Sequence, residues 1–393
     1  MRFFLSFFIC LAASAADYSA IITGMKEADL AKGTAVTSEG GNLFFAVKAA
    51  SQPKLFIDEK PGPVMTRAGE VFYAAATVET GRSHNFVYEV DGKPFGGKTD
   101  VPAWPPDAYQ QAGVPQGQMS EKLVHTSRIY PGMQSSYWVY TAAGYATGTP
   151  AALMVWQDGE VNVDRAAASH TLNVIDNLTQ KKQIPVMVHV FISPGSINGK
   201  AMRSIEYDTV DDTYPRFLRD EILAEIAAKY SLRKDAYSRA IIGESSGAIC
   251  AFNAAWQQPD QFSRVISRIG SFTSIQWKPN QLDGGQSYPN KIRKEPKRNI
   301  RVWLQDGSED LENEHGSWPL QNTQMANSLK RQLYDFHFSF GNGTHTRIGG
   351  QVEAPAELVW LWRGYDPAKT EQKYEMDADE QAKPLWRIRS FNR

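Results

Sequence analysis

The chain has 393 residues, which is longer than one ordinary domain, and its 42% hydrophobic and 22% charged residues are the composition of a globular protein. Its 42 Lys and Arg residues nearly balance 43 Asp and Glu residues, giving a net charge of −1. The composition therefore excludes an electrostatic attraction of the whole chain to nucleic acid or to an anionic membrane.

The first 15 residues have the pattern of a secretory signal peptide. Arg2 precedes an apolar run from Phe3 to Ala13, and Ala13-Ser14-Ala15 offers a small-residue cleavage site. The run is too short for a stop-transfer span, so we expect a secreted or periplasmic protein without membrane insertion after cleavage. Cleavage would remove Cys10 and leave Cys250 without a disulfide partner in the chain.

Residues 16–105 are expected to form a β-sandwich domain of immunoglobulin-like type. Short apolar or alternating runs have the length of strands, and turn-forming Gly and Pro residues separate them. These runs cover residues 43–49, 54–59, 71–78 and 85–92. Strands at this spacing are typical of a sandwich. A stretch rich in Pro, Gly and Gln follows, and we place a linker at residues 106–120.

Residues 121–365 alternate strand-like and helix-like segments, which indicates an α/β fold with a mostly parallel sheet between two helical layers. Strands are expected at residues 135–145, 151–159, 186–195, 239–243, 264–272, 299–307 and 336–343. Because most of these runs are apolar throughout, they should be buried on both faces.

Helical spacing predicts three further elements in this region. One covers residues 215–229, with Asp212 and Thr213 as capping candidates, and another covers 323–335. The last covers 355–365 and should direct Leu358, Trp360 and Leu361 inward. Residues 366–393 are charged and aperiodic, and we expect them to form a loosely ordered tail.

Residues 243–247 read Gly-Glu-Ser-Ser-Gly at the junction of a predicted strand and a predicted helix. G-x-S-x-G at such a junction is typical of the nucleophile elbow of α/β-hydrolases. In so tight a turn, side chains at Gly243 and Gly247 would collide with the neighbouring strand and helix. Ser245 is therefore the candidate nucleophile, and the Ser246 amide is a candidate oxyanion donor. A buried serine at the helix N-terminus is the alternative.

A serine nucleophile needs a base, which follows it in the chain in this type of fold. Three histidines follow Ser245. His315 lies in an acidic loop, and His337 lies within a predicted strand. His345 comes after a Gly-Asn-Gly-Thr loop beyond a strand end, where catalytic groups of α/β sheets gather. We therefore favour His345 as the base.

The acid that orients the base is expected after the strand at residues 299–307. The acidic candidates there are Asp306, Glu309, Asp310, Glu312 and Glu314. Asp310 is favoured because it lies on the loop beyond the strand, whereas Asp306 falls in the last turn of the strand. A cation site is the alternative, but the spacing does not fit a calcium loop. We expect no metal ion and no cofactor.

A second oxyanion donor should come from the loop after the strand at 151–159. Gly159 lets the backbone approach closely, so the amide of Gly159 or Glu160 is the candidate by analogy of placement.

Several segments between about residue 70 and residue 363 resemble the esterase family that includes enterochelin esterases and the feruloyl and acetyl-xylan esterases of carbohydrate esterase family 1. The segments are FVYEVDGKPFGG, ALMVWQDG, RSIEYDTVDDTYPRFLRDEIL, IIGESSGAICAFNAAW, VWLQDGSEDLENEHGSWPLQNTQMANSLK and FGNGTHTRIGG. The resemblance implies a three-layer α/β-hydrolase fold with an N-terminal β-sandwich. It also implies Ser245 as nucleophile, Asp310 as acid and His345 as base.

The resemblance marks further residues around the site. Arg203 and Glu206 belong to a segment that recurs in the family, and a salt bridge between them could hold a loop near the site. Trp318, Glu244 and Arg203 are the candidate substrate-facing residues. Ordinary packing is an equal alternative for Trp318.

The expected function is that of a secreted serine esterase that forms an acyl-enzyme. The resemblance implies feruloyl or acetyl esters on a polysaccharide, or another small-molecule ester, as substrate. One alternative is an esterase for an enterochelin-type siderophore trilactone, which a cationic pocket would favour and export disfavours. Another is a catalytically silent glycan-binding protein. The sequence carries no signal for a particular oligomeric state.

Overall fold

The computed structural model describes residues 15–281 and 283–385. Their contacts form two compact units: the described residues up to Glu79 with His84–Ala103, and Thr80–Ser83 with the described residues from Trp104 onwards. The expected signal peptide lies outside the described residues, except that Ala15 begins the first helix. Within the described ranges, no helix has the length and apolar character required to cross a membrane.

The N-terminal unit contains two four-stranded antiparallel sheets, ordered β1-β2-β6-β5 and β4-β3-β7-β8. Its elements are α1 (Ala15–Gly24), α2 (Glu27–Lys32), β1 (Ala35–Glu39), β2 (Asn42–Lys48), β3 (Lys54–Ile57), β4 (Lys60–Pro61), β5 (Thr66–Ala68), β6 (Val71–Thr77), β7 (Arg82–Val90) and β8 (Lys93–Ala103). Side chains from both sheets form one core, in which the rings of Phe45 and Phe86 meet edge to face with centroids 5.0 Å apart. This packing agrees with the expected β-sandwich.

The second unit is built on one mixed sheet, ordered β15-β14-β11-β13-β12-β16-β17-β18-β21, with β9 and β10 also paired to β11. Its strands are β9 (Gln118–Met119), β10 (Leu123–Thr126), β11 (Gln134–Thr141), β12 (Ala152–Gln157), β13 (Met187–Ile192), β14 (Ser196–Ile197), β15 (Lys200–Ala201), β16 (Arg239–Glu244), β17 (Arg264–Arg268), β18 (Arg301–Glu309) and β21 (Asp335–Thr344). The short strands β19 (Glu312–Asn313) and β20 (Gly316–Ser317) form a separate hairpin. The six strands β13, β12, β16, β17, β18 and β21 are mutually parallel.

Helices cover both faces of this sheet, as expected for three layers. They are α3 (Thr171–Gln180), α4 (Arg203–Asp208), α5 (Thr213–Phe217), α6 (Leu223–Ala227), α7 (Ser246–Gln257), α8 (Tyr288–Lys294), α9 (Trp318–Arg331), α10 (Ile348–Trp362) and α11 (Ala378–Ala382). Alternate residues of a strand serve opposite cores: Ile241 packs with α7 and α9, whereas Ile242 packs with α3 and α10. This alternation explains why the central strands are apolar throughout.

The stretch expected to be a linker packs against α3 at its beginning. Trp104 and Ala108 are buried in the core of the second unit. The side-chain amide of Asn173 donates to the Ala108 carbonyl at 3.1 Å, and that of Asn177 donates to the Tyr109 carbonyl at 2.7 Å. Buried asparagines on α3 therefore hold the irregular backbone at the beginning of this stretch.

Two expected helices begin earlier than the periodicity indicated. The helix expected at 323–335 is α9, which begins at Trp318, and the helix expected at 355–365 is α10, which begins at Ile348 and contains Pro355. In α10, Leu358 and Leu361 are buried as expected, whereas Trp360 is only partly buried.

The helix expected at 215–229 is divided. A π-helical turn, Leu218–Ile222, separates α5 from α6. Asp212 occupies the N-cap position of α5, but its side chain makes no capping hydrogen bond and instead pairs with Arg216 at 3.1 Å.

Candidate active site

A sharp turn between β16 and α7 presents Ser245. Its φ of 58° and ψ of −123° are unfavourable for a side-chain-bearing residue. A Cβ on Gly243 would lie 2.0 Å from the Gly247 carbonyl oxygen, and one on Gly247 would lie 3.0 Å from Asp158 Oδ2 on the neighbouring segment. Close approach to the backbone therefore requires glycine at position 243, and the space at position 247 is tight, which is the geometry of a nucleophile elbow.

Three side chains from separate segments form one hydrogen-bonded chain. Ser245 Oγ lies 2.8 Å from His345 Nε2, and His345 Nδ1 lies 2.5 Å from Asp310 Oδ1. Burial opposes ionisation of Asp310, but the hydrogen bonds from His345 and Asp306 outweigh it and hold the pKa of Asp310 below its ordinary value. This order of hydroxyl, imidazole and carboxylate can activate a serine for attack.

Strand register brings the acid and the base together. Because β16, β18 and β21 are parallel, their carboxyl ends meet at one edge of the sheet. Glu309 on β18 pairs with Thr344 on β21, so the next residues, Asp310 and His345, leave the sheet side by side. β21 continues through the Gly-Asn-Gly-Thr segment that was expected to be a loop, and His345 follows directly at its end.

The expected oxyanion donors lie at the starts of two helical turns. Ser246 is the first residue of α7, where helix geometry leaves the amide without an acceptor in the helix. Gly159 and Glu160 open the short 3₁₀ turn Gly159–Asn162. The segment before this turn contacts the elbow, because a Cβ on Gly247 would lie 3.2 Å from the Gln157 Cβ. A Cβ on Gly159 would lie 2.6 Å from the Phe191 backbone.

Arg203 has a different partner from the one expected. Its Nε and Nη2 donate to the two carboxylate oxygens of Asp158 at 2.8 and 2.7 Å. Glu206 instead accepts a hydrogen bond from the Gly195 amide at 2.7 Å. The expected Arg203–Glu206 salt bridge is therefore wrong. The bidentate Arg203–Asp158 pair joins α4 to the turn that carries Gly159, so it holds the loop through another carboxylate.

Glu244 is buried in an ion-pair network and does not face open space. Arg268 Nη1 lies 3.1 Å from Glu244 Oε1, and Arg268 Nη2 pairs with Glu357 Oε2 at 2.5 Å. Arg347 Nε contacts Glu244 Oε2 at 3.1 Å. The expectation that Glu244 contacts substrate is therefore corrected, because both of its carboxylate oxygens are engaged by arginines beneath the elbow.

Trp318 supports the base from inside the protein. It is 2% exposed, and its ring meets the His345 ring edge to face at a centroid distance of 5.6 Å. Its Nε1 donates to Ser271 Oγ at 3.1 Å, and Ser271 Oγ lies 3.3 Å from Ser245 Oγ. The structure favours packing over substrate contact for Trp318. Sequence reasoning missed Ser271, which follows the next parallel strand and so reaches the same sheet edge.

The other histidines considered as bases lie away from this chain of hydrogen bonds. His315 is partly exposed, and its carbonyl accepts hydrogen bonds from Ser274. His337 lies within β21, where its ring stacks on Trp303 at 4.0 Å. Among the residues that the structure describes, no group of three or more His, Cys, Asp or Glu side chains is placed to hold a metal ion. Cys250 is free and buried on α7.

A family model described as "Putative esterase" matches residues 132–353. A comparison with curated protein sequences finds no match.

Solved esterase structures share this fold. The enterobactin esterase FES from Shigella flexneri is 16% identical, with a TM-score of 0.54 over 84% of this chain and 96% of that chain. The ferric enterobactin esterase from Salmonella typhimurium is 16% identical, with a TM-score of 0.56 over the same shares. The feruloyl esterase module from Clostridium thermocellum is 15% identical, with a TM-score of 0.50 over 66% of this chain and 92% of that chain. At these identities the comparisons establish a common fold.

Proposed function

Because the chain belongs to the "Putative esterase" family, whose members are carboxylic-ester hydrolases, we propose that it is a serine esterase that forms an acyl-enzyme. The single observation that carries this proposal is the continuous chain of hydrogen bonds from Ser245 through His345 to Asp310. A serine hydroxyl is a poor nucleophile until a base accepts its proton, and this geometry supplies that base.

In the proposed reaction, Ser245 Oγ attacks the ester carbonyl while His345 Nε2 takes the hydroxyl proton. The negative charge that forms on the carbonyl oxygen is stabilised by the amide of Ser246 and that of Gly159 or Glu160. Collapse of the intermediate breaks the bond to the alcohol, which leaves with the proton from His345. Water then attacks the acyl-enzyme by the same route, and Asp310 holds the imidazole throughout.

Apolar side chains around the elbow favour a bulky or aromatic ester over a small acetyl ester. Val161, Ile205, Trp277 and Leu311 are between 37% and 50% exposed. They lie on the segments that follow β12, β13, β17 and β18, at the sheet edge that carries Ser245. Sites for small organic ligands are lined mostly by apolar and aromatic side chains. We therefore place a feruloyl-type ester ahead of an acetyl ester, with a polysaccharide as the proposed alcohol component.

The charges near Ser245 favour a neutral substrate. Arg203 is bound by Asp158, and Arg347 is bound by Glu244, so neither guanidinium is left as an unpaired cation. An anionic siderophore would gain most from unpaired cations. The enterochelin-type trilactone remains the second candidate because the fold likeness to enterobactin esterases extends over 84% of the chain. Export of the mature protein is part of the proposal, on the pattern of its first 15 residues.

A fluorophosphonate probe tests the nucleophile. The wild-type protein should be labelled once at Ser245, and Ser245→Ala should abolish labelling and lower kcat by about 10⁴-fold or more. Ser308→Ala is the matched control, because Ser308 is an exposed serine in the same unit, and it should keep wild-type labelling. Labelling that persists in Ser245→Ala would exclude the proposed mechanism. A wild-type protein that is neither labelled nor active would favour the glycan-binding alternative.

The substrate class is tested by comparing kcat/KM for methyl ferulate, p-nitrophenyl acetate, acetylated xylan and enterobactin. The apolar surroundings of Ser245 lead us to expect the highest value for methyl ferulate. A clear preference for enterobactin would instead establish the second candidate.

A further inference from the structure

A second carboxyl group lies directly behind the acid of the catalytic chain. Asp306 is on β18 with 0% exposure, and a side-chain hydrogen bond joins it to Asp310. Asp306 Oδ1 accepts from the Gly307 amide at 2.8 Å, and Asp310 Oδ1 accepts from the Leu311 amide at 2.5 Å. The remaining oxygen of each group, Oδ2, is buried and has no hydrogen-bond donor among the described residues. When two buried carboxyl groups interact and each has an oxygen without a donor, a proton on one of them supplies a donor to the other.

The surroundings decide which carboxyl carries that proton. Asp310 faces His345, whose imidazole gains a proton during the reaction and needs a negative partner. Asp306 faces Asp310, the Gly307 amide and the Asn322 side chain on α9, with no cation among them. Burial, and then contact with Asp310, raise the pKa of Asp306 well above its ordinary value. Two carboxylates this close do not both ionise.

We propose that Asp306 is a positioning residue that stays protonated and donates its proton in a hydrogen bond to Asp310 Oδ2. This inference rests on the proposed function. The bond leaves Asp310 as the anion, with one oxygen held by Asp306 and the other directed at His345 Nδ1. No bond forms or breaks in Asp306 during turnover. Its role is to fix the orientation of the Asp310 carboxylate and to keep that carboxylate ionised.

Two substitutions test whether Asp306 acts as a neutral hydrogen-bond donor, as a charged group or only by filling space. Asp306→Asn keeps the shape, the neutrality and an N–H donor, so kcat/KM should stay within about 3-fold of the wild-type value. Asp306→Leu keeps the branched shape, with two bulkier methyl groups in place of the oxygens, but it has no donor and leaves Asp310 Oδ2 buried without a partner. Its kcat should fall by about 10- to 100-fold, with little change in KM. The acid limb of its pH–rate profile should also move to higher pH, because the unsupported Asp310 is more easily protonated.

The pH–rate profile of Asp306→Asn decides against the proposal if it moves. Were Asp306 ionised in the wild type, its replacement by an amide would remove a negative charge near His345, destabilise the imidazolium and shift the acid limb to lower pH. Equal losses in Asp306→Asn and Asp306→Leu, with unmoved profiles, would likewise reduce Asp306 to a packing residue.

A stability measurement keeps this test separate from the proposed function. Exchange of a neutral acid for a neutral amide should leave the urea midpoint of Asp306→Asn at the wild-type value at pH 7, and that of Asp306→Leu should be lower. If the wild-type protein is not labelled at Ser245, the proposed function fails while these midpoints still report on Asp306. If labelling succeeds but the midpoint of Asp306→Asn falls as far as that of Asp306→Leu, the protonation of Asp306 is refuted alone.

Discussion

Carboxyl groups of the same chemical type serve different roles in this site because their surroundings differ. Asp310 is held as an anion by hydrogen bonds, whereas burial raises the pKa of Asp306. Glu206 is a third case: burial raises its pKa to about 7, while the hydrogen bond from the Gly195 amide opposes that shift. One of its oxygens, Oε1, is buried without a partner among the described residues. Position along the chain alone assigns none of these charge states.

The raised pKa of Glu206 predicts a pH-dependent cost in stability. The folded protein binds a proton that the unfolded chain has already lost, so the stability of the wild type falls as pH rises from the ordinary glutamate value to about 7. Glu206→Gln keeps an acceptor for the Gly195 amide and removes this cost. We expect the variant to be more stable than the wild type at pH 8 by about 1–3 kcal/mol, with a smaller difference at pH 5.

Urea denaturation at pH 5 and pH 8 measures this difference. Glu312→Gln is the matched control because Glu312 is exposed in the same unit, and its stability difference from wild type should be small at both pH values. A Glu206→Gln protein that loses stability at pH 8 would show that the carboxylate is stabilised as an anion.

At the scale of elements, the turn from β16 to α7 is the feature that local sequence specifies best. The helix can approach the strand only where side chains are missing, so the turn needs glycines around the serine. The apolar strand before the turn and the small residues after it fit the same close packing. Local sequence did not predict where α9 and α10 begin, because both helices start before the apolar periodicity becomes visible. Apolar periodicity also did not predict the π-helical turn within residues 213–227, because that pattern assumes a single α-helical period throughout.

The contact at Gly243 predicts that Gly243→Ala disrupts the elbow. Its Cβ would lie 2.0 Å from a backbone oxygen of α7, which cannot move like a flexible side chain. We expect destabilisation of about 1–3 kcal/mol or more, measured by thermal unfolding, together with loss of fluorophosphonate labelling. Gly148→Ala is the control, since its Cβ would meet no atom within 4 Å. Normal labelling of a fully stable Gly243→Ala protein would contradict the close packing described above.

At the scale of the whole molecule, the described part of the segment beyond Tyr365, residues 366–385, packs on the second unit rather than forming a loosely ordered tail. Tyr374 is 1% exposed, and its hydroxyl lies 3.0 Å from Ser263 Oγ. Its ring lies 5.4 Å from the Arg264 guanidinium and 4.8 Å from that of Arg301. These buried arginines need a polarisable partner, and the aromatic ring provides it.

Tyr374 is therefore expected to stabilise the protein without affecting the chemistry. It lies near the amino ends of β17 and β18, whereas Ser245 lies at the carboxyl edge of the sheet. Tyr374→Ala should lower the free energy of unfolding by about 3 kcal/mol while kcat of the folded protein is unchanged. Tyr374→Phe, which loses only the hydroxyl, should cost about 1 kcal/mol. Urea denaturation and steady-state kinetics measure the two effects, and an unchanged midpoint in Tyr374→Ala would mean that the segment carries no stability.

The sequence by itself determined the fold class, the esterase family and the local geometry around Ser245, and it proposed Asp310 and His345. These conclusions depend on short-range patterns: strand and helix periodicity, glycines at a tight turn and the order of residues along the chain. Only the tertiary structure decided that Arg203 pairs with Asp158, that Trp318 is buried against His345 and that Asp306 is buried beside Asp310. The charge state and exposure of a side chain depend on which groups surround it in the interior, where water is excluded. Strand register and packing bring those groups together from distant parts of the chain.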